Sequence, residues 1–238
     1  MVHKKALLLA KMNPPESKVK EFNGWYNTTH VAARAATPGF LSSRRFTKIG
    51  GIPKAHVIAG DAEYLALYDL TAARVLKDKP YRELCQREAA LPAGNFESII
   101  FTLPNFTRAV YEQIFPVDEE YVNPQSRYVF VVGHDVPRNR HQEFNAWYNT
   151  EHIPALLSVP GFISVRRFKL AEKPIVKRGG SVSEYLTLWN VEGESALTSD
   201  TFMKAANSPW SDWLRSWYTR KMCSLYHLIF PEQYYIDI

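Results

Sequence analysis

The sequence predicts an α+β protein built from two tandem βαββαβ units. Three observations lead to this prediction: a segment that occurs twice, a strand pattern that follows each copy, and a helical pattern on either side of those strands. The two copies are EFNGWYNTTHVAARAATPGFLSSRRF at 21–46 and EFNAWYNTEHIPALLSVPGFISVRRF at 143–168. Sixteen of the 26 aligned positions are identical at an offset of 122 residues, which indicates a tandem duplication.

Length and composition agree with two soluble globular units. The chain has 238 residues, and we place the units at 1–120 and 121–238. The net charge of +5 comes from scattered Lys and Arg without basic runs, so we expect no nucleic-acid partner. The two cysteines, Cys85 and Cys223, favour a reducing compartment. The apolar run near the N-terminus is too short for a signal peptide or a membrane span, so we expect a cytoplasmic protein without a membrane partner.

Each unit is predicted to open with a short apolar strand, 6–12 in the first unit and 128–134 in the second. The repeated segment then predicts a helix, because its aromatic residues are three and four positions apart and form one apolar stripe. Pro-Gly ends the helical pattern and suits a type II turn in which Gly takes a positive φ. New strands are therefore predicted to start at Phe40 and Phe162.

The rest of each unit contains a strand, a helix and a last strand. Residues 63–70 and 184–191 alternate with period two, which is typical of half-buried strands. The first unit has about 14 extra residues, at 91–105, before its last strand, and such insertions are where function diverges. The second helices are predicted near 72–90 and 200–219, and the last strands near 109–115 and 224–230.

The two faces of the alternating strands differ in character. Leu65 and Leu67 are predicted to lie beneath the helices. The opposite face, with Tyr64 and Tyr68, is too aromatic to remain in water. We therefore expect the two sheets to pack face to face in one closed, barrel-like core, with a pocket between them.

The motifs W-Y-N-x-x-H, P-G-F and R-R-F resemble those of the EthD-like branch of the dimeric α+β barrel superfamily, with two copies fused in one chain. The resemblance implies ferredoxin-like repeats packed sheet to sheet as an intrachain dimeric α+β barrel. It also implies a pocket between sheet and helices for small hydrophobic, often aromatic ligands. In related barrels it implies cofactor-free chemistry such as isomerisation, cyclisation, decarboxylation, C–C cleavage or oxygenation.

The histidines of the motif are the first catalytic candidates. In a continuous helix each His shares one face with the Tyr four residues before it and the Asn three residues before it. His can exchange a proton near neutral pH, Tyr can donate a hydrogen bond to developing negative charge, and Asn can orient the imidazole. The alternative is structural, with Tyr in the core and His at a helix end. The candidates are His30, Tyr26 and Asn27, and His152, Tyr148 and Asn149.

A second group of candidates would bind the substrate. The strand phase predicts that Arg44 and Arg166 point inward, where each would hold a carboxylate or phenolate. Alternatively, these arginines form ion pairs with Glu63 and Glu184. The aromatic candidates form either a surface on which a flat ligand stacks or a part of the hydrophobic core. These aromatic residues are Tyr64, Tyr68, Tyr185 and Trp189. The directions in which His134 and His227 point are left open.

The leading functional hypothesis is a cofactor-independent lyase or isomerase that acts on a small aromatic or conjugated metabolite by His acid/base chemistry. No motif for a metal, a nucleotide or a serine nucleophile is present, so we expect neither metal nor cofactor. One alternative is a haem-dependent or cofactor-free oxygen-using enzyme, because chlorite-dismutase-like proteins also consist of two ferredoxin-like units. Another is a non-catalytic module that binds hydrophobic ligands. Further homo-oligomerisation is left open.

Overall fold

Eight antiparallel strands close a single barrel in the computed structural model, which describes residues 4–49, 61–117, 119–176 and 179–231. The first half contributes β1 (Ala6–Met12), β2 (Phe40–Lys48), β3 (Tyr64–Leu70) and β4 (Thr107–Phe115). The second half contributes β5 (Tyr128–Asp135), β6 (Phe162–Leu170), β8 (Tyr185–Val191) and β9 (Thr219–Phe230), and a short β7 (Ile175–Val176) extends β4.

The strand order shows how the two halves join. Each half forms a four-stranded sheet, in the order β4-β1-β3-β2 and β9-β5-β8-β6. Antiparallel pairing of β2 with β9 and of β4 with β6 closes the ring. The prediction of two ferredoxin-like units joined in one barrel is therefore confirmed.

Helices cover the outer side of both sheets. In the first half these are α1 (Val19–Trp25), α2 (Val31–Ala35), α3 (Lys79–Ala89) and α4 (Phe96–Ile99). In the second half they are α5 (His141–Trp147), α6 (Ile153–Leu157), α7 (Glu194–Thr198), α8 (Asp200–Ala205) and α9 (Pro209–Arg215). Short 3₁₀ turns lie at Glu16–Lys18, Ala73–Lys77, Ile100–Thr102 and Arg138–Arg140. None of the described helices is long and apolar enough to cross a bilayer.

The predicted facing of the strands is wrong. Leu65 and Leu67 lie inside the barrel, in a cluster with their counterparts from the other half, whereas Tyr68 packs under the helices. The barrel interior is therefore a mainly apolar core of aliphatic and aromatic side chains, and the two cavities described below lie between sheet and helices and not between the sheets. An eight-stranded barrel is just wide enough for side chains to fill, which suits medium-sized aliphatic residues.

The two Pro-Gly turns behave as predicted. Gly39 has φ of +93° and Gly161 has φ of +90°, which a residue with a Cβ rarely adopts. A Cβ at Gly39 would also lie 2.5 Å from Cγ2 of Val75. These turns set where β2 and β6 begin, immediately after the motif helices.

Candidate active site

The repeated motif contains a π turn in both halves, at Tyr26–His30 and at Tyr148–His152. The wider turn places each His beside the Tyr four residues earlier, with ring centroids 4.4 Å apart in the first half and 5.0 Å in the second. The predicted Tyr–His neighbourhood is therefore present, in a π turn and not in the regular helix that the spacing predicts. Single π turns occur frequently at functional sites.

The asparagines of the motif contact arginine and not histidine. Arg45 Nη1 donates to Asn27 Oδ1 at 2.6 Å, and Arg167 Nη1 donates to Asn149 Oδ1 at 2.5 Å. Each guanidinium also stands 4.1 Å from the ring centroid of the motif tyrosine, Tyr26 or Tyr148. The second Arg of each R-R-F motif thus fastens its helix to the sheet, and the expectation that Asn orients the imidazole is wrong.

A cavity of about 500 Å³ lies between sheet and helices in the second half and is called here the C-terminal cavity. Half of its lining residues carry flat rings, and the His152 ring is stacked on Trp147 at a centroid distance of 4.4 Å. Arg215 and Arg220 also line it, and both are exposed to solvent. The main lining rings belong to Phe130, His134, Trp147, Tyr148, His152, Trp189 and Tyr218.

Two imidazoles face this cavity without protein partners. Within the described part of the chain, Nδ1 of His152 and both ring nitrogens of His134 are buried and accept or donate no hydrogen bond. Burial, and then the charge of Arg220, lowers the pKa of His152 to about 3 and lowers that of His134 well below its usual value. Both rings are therefore neutral at physiological pH.

The first half contains a smaller cavity of about 300 Å³, called here the N-terminal cavity. His30 lines it, and the Nδ1 atom of His30 lies 2.7 Å from Oε1 of Glu97. Arg34 forms a bidentate pair with Glu88 at 2.6 and 2.9 Å and stands 3.8 Å from Glu97. The N-terminal cavity is therefore bordered by a connected network of ionisable side chains.

Three groups of this network have a geometry that could hold a metal ion, since ligand atoms of His30, Glu88 and Glu97 lie within 4.8 Å of one another. The Arg34 guanidinium already supplies the positive charge between the two carboxylates. A second cation would be repelled by it at this distance. We therefore assign no metal to this cluster.

Arg44 and Arg166 point into the barrel, as the strand phase predicts, but their partner is a protein carboxylate. Asp69 lies 3.2 Å from Arg44 Nη2 and 2.6 Å from Arg166 Nη1. Burial alone would raise the pKa of Asp69, but Arg166 and Arg44 outweigh it and lower the pKa to about 2. Neither arginine lines the N-terminal or C-terminal cavity, and the expected pairing with Glu63 and Glu184 is also wrong.

The aromatic candidates separate into two pairs. Tyr68 lines the N-terminal cavity and Trp189 the C-terminal cavity. Tyr64 and Tyr185 lie outside both cavities: the Tyr64 hydroxyl accepts from Asn23 at 3.4 Å, and that of Tyr185 contacts His141 at 2.6 Å. Their role at the helix ends is structural.

Several residues that line the two cavities were not predicted from the sequence. Glu97 belongs to the insertion at 91–105, which the comparison of the repeats singled out without assigning a residue. The sequence left open the direction in which His134 points, and only the closure of the barrel turns this side chain toward the helices. Arg34 and Arg220 carry no motif that would have identified them.

The chain has the dimeric α+β barrel fold, here with both ferredoxin-like units in one polypeptide. A chlorite dismutase candidate matches with a TM-score of 0.57 and 10% identity over 95% of each chain. A monooxygenase candidate from Fusobacterium nucleatum matches with a TM-score of 0.53 and 11% identity, over 96% of this chain and 94% of that chain. An anthrone oxidase-like protein matches with a TM-score of 0.53 and 14% identity, over 96% of this chain and 92% of that chain.

At these identities the likeness shows the fold alone. No protein-family model matches the sequence, and no curated protein matches it either. The function is therefore argued from the site.

Proposed function

We propose that the protein is a cofactor-free lyase or isomerase acting on a small aromatic or conjugated metabolite in the C-terminal cavity. One observation carries the proposal: His134 and His152 present buried ring nitrogens without protein partners to the same cavity. Leaving such a group unpaired costs about 1–3 kcal/mol. The cost is offset if a ligand supplies the missing hydrogen bonds.

The lining of the cavity defines the substrate class. Trp147 and Trp189 offer flat faces for a conjugated ring. Arg220 donates to the neutral hydroxyl of Tyr218 at 3.2 Å, and no described carboxylate lines the cavity. An acidic group on the substrate, either carboxylate or phenolate, would be attracted to Arg220.

The same charges govern proton transfer. Arg220 and burial make the free imidazole of His152 a weak base. An anionic substrate would offset the positive charge and raise the pKa of His152, so the ring would become basic when the substrate is bound. His152 would then take a proton from the bound compound, while the conjugated ring delocalises the negative charge.

The fate of that charge distinguishes the reaction classes. Return of the proton to another carbon gives an isomerisation. In a lyase reaction a C–C bond breaks and carbon dioxide or a small aldehyde leaves, and the carbon that keeps the electron pair takes the proton back from His152. We favour the lyase, because a dry cavity with a base and an anion-holding group supplies what it needs. The W-Y-N-x-x-H motif of both halves supports an EthD-like origin for such an enzyme.

Single replacements of the two histidines test the proposal. His152→Ala and His134→Ala should each lower turnover of aromatic carboxylates and phenols, about 10²-fold or more for the residue that moves the proton. Turnover is followed by mass spectrometry of the substrate mixture. His227→Ala, which lies outside both cavities, is the control. Unchanged turnover in both single variants and in the double variant would refute the proposed base.

An oxygen-using or haem-dependent enzyme is the second candidate, and unpaired imidazole nitrogens in a cavity also favour it. His134 or His152 would then hold the haem through an imidazole nitrogen, and the haem would supply the oxygen chemistry. A Soret band in the purified protein or after addition of haemin would favour this candidate. Turnover that stops without O2 in colourless protein would favour the cofactor-free oxygenase. Tight binding of an aromatic compound that is not converted would favour a non-catalytic module that binds hydrophobic ligands.

A further inference from the structure

We propose that the N-terminal cavity is a separate binding site for an uncharged aromatic compound that carries a hydroxyl group, with the hydroxyl donating to Nε2 of His30. This site goes beyond the proposed reaction and uses other residues. The aromatic wall, the hydrogen-bonding state of His30 and the charge balance of the lining carry the proposal.

The hydrogen-bonding state of His30 follows from its two neighbours. Burial, and then the charge of Arg34, lowers the pKa of His30 well below its usual value, so the ring is neutral. Burial raises the pKa of Glu97, but the Arg34 guanidinium lies 3.8 Å from Oε1 of Glu97 and opposes this rise, and on this contact we assign Glu97 as a carboxylate. The Nδ1–H of His30 therefore donates to Glu97, and Nε2 carries a lone pair.

That lone pair is available to a ligand. His30 is 6% exposed and lines the cavity, and Nδ1 is its only ring atom with a hydrogen bond among the described residues. Glu97 fixes the tautomer, as carboxylates do for imidazoles in many binding sites. The site therefore offers an acceptor and favours a ligand with an O–H donor.

The charges of the lining favour a neutral ligand. Arg34 and Arg108 are balanced by Glu88 and Glu97, in contrast to the C-terminal cavity, where Arg220 faces no lining carboxylate. The Arg34–Glu88 pair is bidentate, so its charge is already compensated. An anion would have to approach two carboxylates, and a cation would have to approach two guanidinium groups.

The wall of the cavity accepts an aromatic ring. Tyr26, Tyr68 and Tyr81 line one part of it, and Phe101 and Phe106 line another. Phe101 is 45% exposed and belongs to the insertion at 91–105, so the insertion supplies both part of the wall and Glu97. At the 122-residue offset Arg34 corresponds to Leu156, so the polar network exists in the first half alone among the described residues.

Calorimetric titration with 2-naphthol and 2-naphthoate at pH 7 tests the site. The two probes share a ring system, and 2-naphthol is uncharged whereas 2-naphthoate is an anion. We expect His30→Phe to weaken 2-naphthol binding about tenfold, the effect of losing one hydrogen bond and leaving the bound hydroxyl unpaired. His152→Phe, the matched change in the other half, should leave this binding event unchanged.

A second variant keeps the proposal testable if His30→Phe does not fold. Ala89 lies at the end of α3, is exposed and lines the cavity, so Ala89→Trp should obstruct it without disturbing the core. The expected result is about tenfold weaker 2-naphthol binding in His30→Phe and loss of the same binding event in Ala89→Trp. Wild-type affinity for 2-naphthol in Ala89→Trp and in folded His30→Phe would overturn the proposal. So would a 2-naphthoate binding event that Ala89→Trp removes and that is stronger than the 2-naphthol event removed by the same change. Either outcome leaves the test of the C-terminal cavity unaffected.

Discussion

The histidine of the repeated motif has a different environment in each half, although most of the motif is shared. His30 donates to Glu97, whereas Nδ1 of His152 has no partner within the described residues. The difference arises outside the shared positions, since Arg34 corresponds to Leu156 and Glu97 belongs to an insertion. The proton chemistry of a histidine is set by the groups that the fold brings to it.

At the residue scale we predict that His134→Met stabilises the protein and impairs its function. Met12 occupies the corresponding position of the first half and is 1% exposed, so the fold accepts this side chain. The change removes two unpaired nitrogens, and we expect a gain of about 1 kcal/mol in the free energy of unfolding at pH 7. Urea denaturation measures this gain.

The pH dependence of His134→Met gives a second test. The pKa of His134 is lowered in the folded state, so below about pH 6.5 the unfolded chain binds a proton that the native protein does not. Acid therefore favours unfolding of the wild type, and the advantage of the variant should grow as the pH falls from 6.5 to 5. An equal loss of stability in both proteins over this range would contradict the assignment of a neutral, buried imidazole.

At the scale of elements, the π turn decides where the motif histidine lies. It inserts one residue into an otherwise helical segment, so α5 and α6 both keep an apolar face on the sheet, and Tyr148 and His152 lie within the turn with ring centroids 5.0 Å apart. Arg167 holds the turn from the strand side through Asn149. The apolar stripe of the sequence predicts the helix but contains no sign of the additional residue.

Deletion of Thr150 tests the π turn. Thr150 is exposed and its hydroxyl donates to the carbonyl of Ala146, so the deletion should convert the turn into a regular helix. We expect a folded protein in which the spacing of Tyr148 and His152 falls from four residues to three, the His152 ring turns relative to the cavity, and turnover falls at least as far as in His152→Ala. Circular dichroism checks the fold, and mass spectrometry checks turnover.

Deletion of Thr28 is the matched control, because Thr28 makes the same contact with Gly24 in the first half. It should spare turnover in the C-terminal cavity and weaken 2-naphthol binding in the N-terminal cavity. Full activity after deletion of Thr150 would show that the π turn does not serve the reaction.

At the scale of the whole molecule, one buried carboxylate connects the two halves. Asp69 of β3 binds Arg44 of its own half and Arg166 of the other half, and it also accepts from Tyr121 in the connecting segment at 3.0 Å. At the corresponding position of the second half stands Asn190, which donates to Ser164. The barrel is therefore asymmetric inside, because the first half supplies through Asp69 a carboxylate that Asn190 of the second half does not supply.

We predict that Asp69→Asn destabilises the protein by about 3–5 kcal/mol, because two guanidinium groups would stay buried without their carboxylate. Glu83→Gln, which breaks an exposed pair with Lys79, is the control and should change stability by less than about 1 kcal/mol. Denaturant unfolding of both variants at pH 7 checks the difference. Equal effects would show that the shared carboxylate does not join the halves.

The contribution of Asp69 should also depend on pH. Its pKa is lowered to about 2, below the value in the unfolded chain, so its stabilising effect is fully present above about pH 4 and is lost as the pH falls toward 2. The gap in stability between the wild type and Asp69→Asn should therefore narrow over this range. A gap that stays constant would contradict the ion-pair assignment.

The sequence by itself determined the duplication, the order of the strands, the two glycine turns and the presence of His beside Tyr in each half. These features are local: period-two alternation, Pro-Gly and a repeated motif act over a few residues, whatever the remainder of the chain does. The first strand, predicted at 6–12, is found at Ala6–Met12, and the turn glycines have the expected φ.

Only the tertiary structure decided which face of each sheet closes the barrel, which side chains surround each histidine, and what Arg44 and Arg166 bind. Both faces of the strands are apolar, so alternation distinguishes the faces without showing which one turns inward. Glu97 reaches His30 across 67 positions of sequence, and Asp69 reaches Arg166 across 97. Such contacts depend on closure of the whole barrel. The charged side chains leave water only when both sheets have met, and their burial then changes the free energy of folding by several kcal/mol.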